Sequence, residues 1–276
     1  MAIELVTKFS GLVDERFSAE SKLSLVTNKD YSFDGAHSVK VYSVNTAPMV
    51  DYDRDGVSGR ISRYGEIKGL DATTQTLTLE NDRSFTFAID AMDEDETALA
   101  LEASAALMRQ IREVCVPEVD SNAYKKMALG AGLKGSGAIT EETIYDQILA
   151  ATQSMDNALV PDTGRVLIVP PSTYAAMKKN KYCTMETDVG SEIRAKGVIG
   201  VLDGANVIRI PASRLPNNCG FMLVHPSATC APVKLESFKI HGTPVGICGS
   251  LVEGRIVYDA FVLKNKSKGI YLHSTE

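Results

Sequence analysis

Residues 81–97, NDRSFTFAIDAMDEDET, change hydrophobic period with no loop between, and this constrains the fold more than any other feature of the chain. Phe85, Phe87 and Ile89 alternate with Ser84, Thr86 and Ala88, the pattern of a half-buried strand. From Asp93 the spacing lengthens, and Leu99, Ala103, Leu107, Ile111 and Val114 recur every three or four residues. Asp93, Glu94, Asp95 and Glu96 fall where the partial positive charge of a helix N-terminus favours carboxylates. A strand joined to a long helix is a scaffold element. Pro117, which has no N–H to donate, predicts a kink or restart farther along that helix.

Upstream, residues 9–25 predict a short amphipathic helix with Phe9, Leu12, Val13 and Phe17 on one face. Within residues 31–48, Val39, Val41 and Ser43 alternate with Lys40, Tyr42 and Val44 as in a strand. Residues 51–74 are rich in Gly, Asp and Arg and read as an exposed excursion. Its return, residues 74–80, is expected to pair antiparallel with residues 83–89. A two-residue turn at Asn81 and Asp82 would split the apolar set over both faces. A three-residue turn including Arg83 aligns Leu79 with Phe85 and Leu77 with Phe87, and is preferred. That hairpin has one apolar face and one Thr-rich face, and needs cover from elsewhere, because a lone hairpin is marginal in water.

Downstream, the Gly-rich residues 130–137 predict a flexible hinge and the clearest domain boundary. Thr140 is expected to cap a helix with Ile144, Ile148, Met155 and Leu159 in one stripe. A strand at 165–169, a short helix at 171–179 capped by Ser172, and a polar loop at 180–196 follow. Asp203-Gly204 predicts a hairpin within 198–210, and strands are expected at 221–225, 233–240, 255–263 and 269–273. The class is α+β, without a repeated βαβ unit.

With 276 residues, 44% hydrophobic and 23% charged, the chain can bury a large core. No window approaches a membrane span, and the first residues carry charges where a signal peptide needs an apolar run. The five cysteines are widely spaced without a CxxC, the pattern of reduced, mostly buried thiols rather than a disulfide framework or zinc ribbon. A net charge of −6 and no Lys or Arg run argue against an interface that neutralises many phosphates.

Gly130, Gly132 and Gly135 match GxGxxG, yet they follow a helix rather than a strand, so a nucleotide site is not expected. Asp51, Asp53, Asp55 and Gly56 match the start of an EF-hand loop, but its twelfth position is Ser62, not the Glu that supplies two oxygens. The histidines His37, His225, His241 and His273 lie far apart, as surface or strand-end residues do. No catalytic constellation, metal set or cofactor site is expected. Arg54, Arg60, Arg63, Glu66 and Lys68 place charges of both signs on the excursion, available to pair with a neighbouring subunit or to keep the loop soluble.

DYDRDGVSGRISRYGE with NDRSFTFAIDAMDEDET is similar to the extended loop, and its return into the spine helix, of tailed-bacteriophage major capsid (major head) proteins with the Hong Kong 97-type fold. ALMRQIREVCVPEVDSNAYKKMA resembles the spine helix, and GVIGVLDGANVIRIPASRLP and GRIVYDAFVLKNKSKGIYLH resemble the axial hairpin and the terminal peripheral strands. The resemblance implies an N-terminal arm (1–48), an extended loop (49–92), a peripheral domain with the spine helix (93–137), an axial domain (138–248) and peripheral return strands (249–276). It implies a virion shell of hexamers and pentamers around double-stranded DNA bound without sequence specificity, assembled in the bacterial cytoplasm with a portal. Because the arm starts almost at Met1, a separate scaffolding protein is expected. Candidate inter-subunit contacts are Phe9, Phe17, Arg54, Arg60, Arg63, Glu66 and Lys68, and the structural joint comprises Arg83, Phe85, Phe87, Ile89, Asp93 and Glu94. Lys68 is a conceivable isopeptide donor, but covalent cross-linking is not expected. An encapsulin-like compartment shell is the nearest alternative; a nucleotide-dependent enzyme has only the misplaced glycines behind it.

Overall fold

The computed structural model describes residues 20–31, 38–44, 46–56, 62–66, 69, 72–92, 102–180, 198–242 and 244–275. Two compact units emerge, residues 36–78 and the remainder of the chain. In the smaller, β1 (Ser38–Val44) pairs antiparallel with β2 (Ala72–Thr78), Val39 opposite Leu77 and Val41 opposite Gln75. The expected alternation holds in β1, where Val39, Val41 and Ser43 are the less exposed positions.

Among the described residues the larger unit has two main sheets and one short two-stranded pair. β3 (Asn81–Asp90) does not turn back on β2, which corrects the expected hairpin. It pairs instead with β11 (Gly249–Tyr258), Asn81 opposite Tyr258 and Phe87 opposite Val252. The residues assigned to the turn, 81–83, lie within the ladder, because β11 offers ten consecutive partners that local turn propensity cannot match. β10 (Val233–His241) completes a three-stranded sheet in the order β10-β11-β3.

The long helix is described as three joined pieces: α1 (Ala103–Gln110), a π turn (Ile111–Cys115) and α2 (Val116–Leu129). Ala91 and Met92 are helical, residues 93–101, where the helix is expected to begin, lie outside the described residues, and Glu102 is extended (ψ 132°), so α1 starts at Ala103. Pro117 does mark a change of helix, standing in the first turn of α2 immediately after the π turn.

The second sheet has six strands in the order β4-β13-β8-β5-β7-β6: β4 (Leu133–Ser136), β5 (Val166–Val169), β6 (Val198–Leu202), β7 (Ala205–Arg209), β8 (Cys219–Val224) and β13 (Ile270–Ser274). The expected hairpin at Asp203-Gly204 forms, with positive φ at both residues (49° and 75°). β5 reads VLIV and is buried throughout, as a central strand covered on both faces must be. One face packs Val166, Ile168, Met222 and Ile270 against Tyr124, Met127 and Ala128 of α2. The other packs Leu167, Phe221 and Leu223 against Ile144, Ile148 and Met155 of α3 (Ile144–Asn157) and Met177 of α4 (Pro171–Lys179).

Several local expectations change. Residues 130–137 are not a hinge: β4 runs through them, parallel to β13. Leu159 leaves the α3 stripe, since its backbone is left-handed (φ 59°) and its side chain 91% exposed. Thr140 does cap, accepting from the Thr143 N–H (3.2 Å) while Thr143 Oγ1 accepts from the Thr140 N–H (3.1 Å). Pro170, not Ser172, precedes α4. The strand expected at 255–263 breaks at Asp259, beyond which β12 (Phe261–Val262) pairs with β9 (Thr229–Cys230). The return strands divide: β11 joins the three-stranded sheet and β13 the six-stranded one. Residues 20–25, the described part of the expected amphipathic helix, hold one 3-10 turn, Leu23–Leu25.

Candidate functional site

The joint is two-faced. On one face of the three-stranded sheet Phe85 and Phe238 flank Gly254, their rings stacked with centroids 6.1 Å apart, and Phe87 stacks on Phe85 at 6.2 Å. A Cβ on Gly254 would collide with the Phe85 ring, so the bare backbone is what admits it. Ile89, Val252 and Ala103 form the buried floor, with Phe85, Phe87, Ala106 and Leu107 packed against it. Arg83, Phe85, Phe87 and Ile89 all lie in β3; Asp93 and Glu94 lie outside the described residues. The opposite face carries Ser84, Thr86, Lys239, Glu253 and Arg255. Asp90 caps the backbone after β3 by accepting from the Met92 N–H (2.9 Å).

A buried carboxylate that the sequence reading missed ties three segments together. Asp259, 3% exposed, accepts from the Glu80 N–H (3.2 Å), Asn81 Nδ2 (3.3 Å), Asn122 Nδ2 (3.3 Å) and the Ala260 N–H (2.8 Å), with Lys126 Nζ at 3.6 Å. It joins the entry to β3, α2 and the end of β11. Its signal was visible: one acid inside the apolar run RIVYDAFVL. Beside it Glu118 pairs with Arg83 (2.8 Å) and accepts from the Tyr258 hydroxyl (3.1 Å). Burial, then the Glu118 bond, push that phenol up to about 12. Arg83 is exposed and Glu118 half-buried, so their pair adds little energy but sets direction. Arg255 grips Asp82 with Nε and Nη2 (2.9 and 2.5 Å), which holds that carboxyl below its ordinary value.

Deeper, Arg214 pairs with buried Asp120 (2.7 Å), which also accepts from the Ser21 hydroxyl (2.6 Å). Burial outweighs both partners and raises the Asp120 carboxyl above its usual range. Arg165, buried, is met by Asp156 Oδ1 (2.6 Å) and the carbonyls of Val160 (2.6 Å) and Pro161 (2.8 Å). These groups hold the fold, not a reactant.

The other candidates resolve as follows. Arg54, Arg63 and Glu66 are exposed in the smaller unit; Arg60, Lys68, Phe9 and Phe17 lie outside the described residues. Asp53 belongs to a local turn, accepting from the Gly56 N–H (2.8 Å), and its own N–H bonds the Arg63 carbonyl (3.0 Å). Tyr52 and Tyr64 stack edge to face at 5.0 Å. Among the described residues no group of three or more His, Cys, Asp or Glu stands where it would hold a metal ion. The GxGxxG glycines leave no cradle for a pyrophosphate: the Tyr271 hydroxyl crowds the Cβ position of Gly135, and the Ser267-Lys268 backbone that of Gly132. His273 is buried, stacked on Phe221 (4.8 Å) and bonded through Nε2 to the Gly137 carbonyl (3.1 Å). His225 and His241 stand at strand ends, and His37 lies outside the described residues. Cys115 and Cys230 are buried, Cys219 half-buried and Cys248 exposed, all as free thiols. Burial raises Cys219 to about 12 and Cys230 to about 11, far from nucleophilic. An open groove of ≈460 Å³ between β3 and α1, lined by Phe87, Ala106, Arg109, Gln110 and Glu113, holds no nucleophile–base pair. Among the described residues no helix is long and apolar enough to cross a membrane.

No protein-family model matches the sequence. No curated protein matches it either. Solved structures do. The chain is similar to a structure from Mycobacterium phage Che8 (18% identity, TM-score 0.72, covering 98% of this chain and 96% of that one). It is similar to the capsid structure of the cyanophage P-SCSP1u (12% identity, TM-score 0.75, 98% and 93%). A virus-like particle from Pyrococcus furiosus matches less closely (14% identity, TM-score 0.58, 92% of each). The fold is therefore that of capsid proteins, as the resemblance to Hong Kong 97-type shells implied.

Proposed function

We propose that this chain is a major capsid protein that self-assembles into the icosahedral head of a tailed double-stranded DNA bacteriophage. One observation beyond the fold carries the reading. The smaller unit is a two-stranded ladder with a loop, yet it exposes Tyr42, Val44, Met49, Val50, Tyr52 and Tyr64. Such a ladder is marginal alone, and a concentration of exposed apolar side chains marks an interaction surface. In a shell, a neighbouring copy supplies the cover. Obligate interfaces of this sort commonly bury more than about 2,000 Å² in total, and closed symmetry ends the assembly.

On this reading residues 36–78 are the extended loop. The three-stranded sheet with the long helix is the peripheral domain, and the six-stranded sheet with α3 and α4 the axial domain, so residues 249–276 serve both. Arg54, Arg60, Arg63, Glu66 and Lys68 contact the adjacent subunit, together with Phe9 and Phe17. The protein does no chemistry, binds packaged DNA without sequence specificity, and works with a scaffolding protein and a portal in the host cytoplasm. The likeness to the Pyrococcus virus-like particle supports a second reading, a compartment shell, less well.

Electron microscopy of the expressed protein, alone and with its scaffold, tests the proposal. Closed shells of uniform diameter are expected; monomers persisting across protein concentration and salt would overturn it. Particles that fill with protein rather than DNA during infection would favour the compartment.

A further inference from the structure

The long helix has to satisfy two sheets. Its first part lays Ala103, Ala106 and Leu107 against Ile89 and Val252 of the three-stranded sheet. Its last part makes contacts on two sides. Glu118 meets Arg83 and Tyr258, while Asn122 and Lys126 meet Asp259, all at the three-stranded sheet. Tyr124, Met127 and Ala128 face the other way, into the core of the six-stranded sheet. Between the two parts, the Val116 N–H bonds the Ile111 carbonyl, five residues back instead of four.

We infer that the π turn at Ile111–Cys115 is a phase-setting insertion, one extra residue that keeps Ala103, Leu107, Gln110, Glu118, Asn122 and Lys126 on a single stripe. The angles decide it. Lys126 lies 23 positions after Ala103. At about 100° per residue, an unbroken α-helix would carry it about 140° past whole turns. Absorbing one residue in a wider i→i+5 turn brings it back to about 40°, within reach of the same sheet. From Gln110 to Glu118 the same correction changes about 80° to about −20°. It also turns the Tyr124, Met127 and Ala128 stripe to the side opposite Ala103 and Leu107, where the six-stranded core lies. Without the insertion, α1 cannot sit on its floor while α2 keeps both the Asp259 bonds and the core.

The competing explanation is that the turn merely accommodates Pro117, which has no N–H to donate four residues back along the helix. Three variants of the full chain separate the two. Val114 lies in the turn and is 46% exposed, so deleting it removes the extra residue with little loss of packing. That deletion should lower the thermal unfolding midpoint by about 10 °C, the shift expected from losing the contacts of one sheet in a chain of this size. Adding one Ala after Gln110 to the Val114 deletion restores the count and should recover the midpoint to within about 2 °C. Pro117→Ala should keep the π turn when its structure is solved. If the deletion does not fold, recovery of folded protein by the added Ala carries the same information. An unchanged midpoint after deletion, no recovery on restoring the count, or a regular α-helix in Pro117→Ala with the Glu118 and Lys126 contacts intact would overturn the inference.

Discussion

Gly132 sits where no side chain can. Its N–H bonds the Ser267 carbonyl (2.9 Å), and a Cβ there would stand 2.6 Å from the Ser267 carbonyl carbon and 2.7 Å from the Lys268 nitrogen. Backbone cannot swing aside as a long side chain can, so Gly132→Ala should cost about 1–3 kcal/mol by overpacking, read as a lowered midpoint in denaturant. A flexible hinge would tolerate the same change without effect. Gly254 is the contrasting case: what it admits is the end of the Phe85 ring, a side chain rather than backbone. From sequence both are simply glycines in polar or strand-like surroundings. The atoms each one meets most closely lie more than a hundred positions away in the chain, and no local pattern encodes them.

At the scale of elements, the long helix and the start of β3 are held by one buried group. Asp259→Ala would leave the Glu80 and Ala260 N–H groups and two Asn amides without their acceptor. The expected loss is about 3 kcal/mol, from desolvated donors rather than from the Lys126 charge, which reaches water. Chemical denaturation of the purified subunit checks this, and a change under 0.5 kcal/mol, an order-of-magnitude bound for surface sites, would show that the node does not hold the elements together. The strand at 83–89 and its apolar face were legible because alternation of Phe85, Phe87 and Ile89 is a local signal. Its partner was not. Asn81 and Asp82 are good turn residues, yet they pair with Tyr258 and Val257, because ten ladder positions outweigh a preference carried by two or three residues. The helix start expected at the four acids 93–96 lies outside the described residues; Ala91 and Met92 are helical ahead of it, and α1 begins after the extended Glu102.

For the whole molecule, the exposed aromatics of the 36–78 unit should matter to assembly and not to the fold of the subunit. The double variant Tyr52→Asp, Tyr64→Asp alters side chains that are 51% and 80% exposed, so its unfolding midpoint should match the parent while shells fail to form. Shells at the normal yield would show that this edge of the loop is not covered by a neighbour. By itself the sequence determined the kinds of element and much of their order: the alternation of Phe85, Phe87 and Ile89, the strands at β5 and β8, the Asp203-Gly204 turn, the Thr140 cap ahead of α3. Those signals act over a few residues, where side-chain periodicity and backbone preference decide the outcome. Tertiary structure alone decided that β3 belongs to β11, that the glycine-rich stretch is a packed strand, that Asp259 is a buried clasp, and that the helix carries an extra residue in its π turn. Each of these depends on groups that meet only after distant segments have docked, so the energy that selects it is absent from any local window. The strand at 81–90 was legible as a strand from its alternation, but which strand it pairs with was settled by packing.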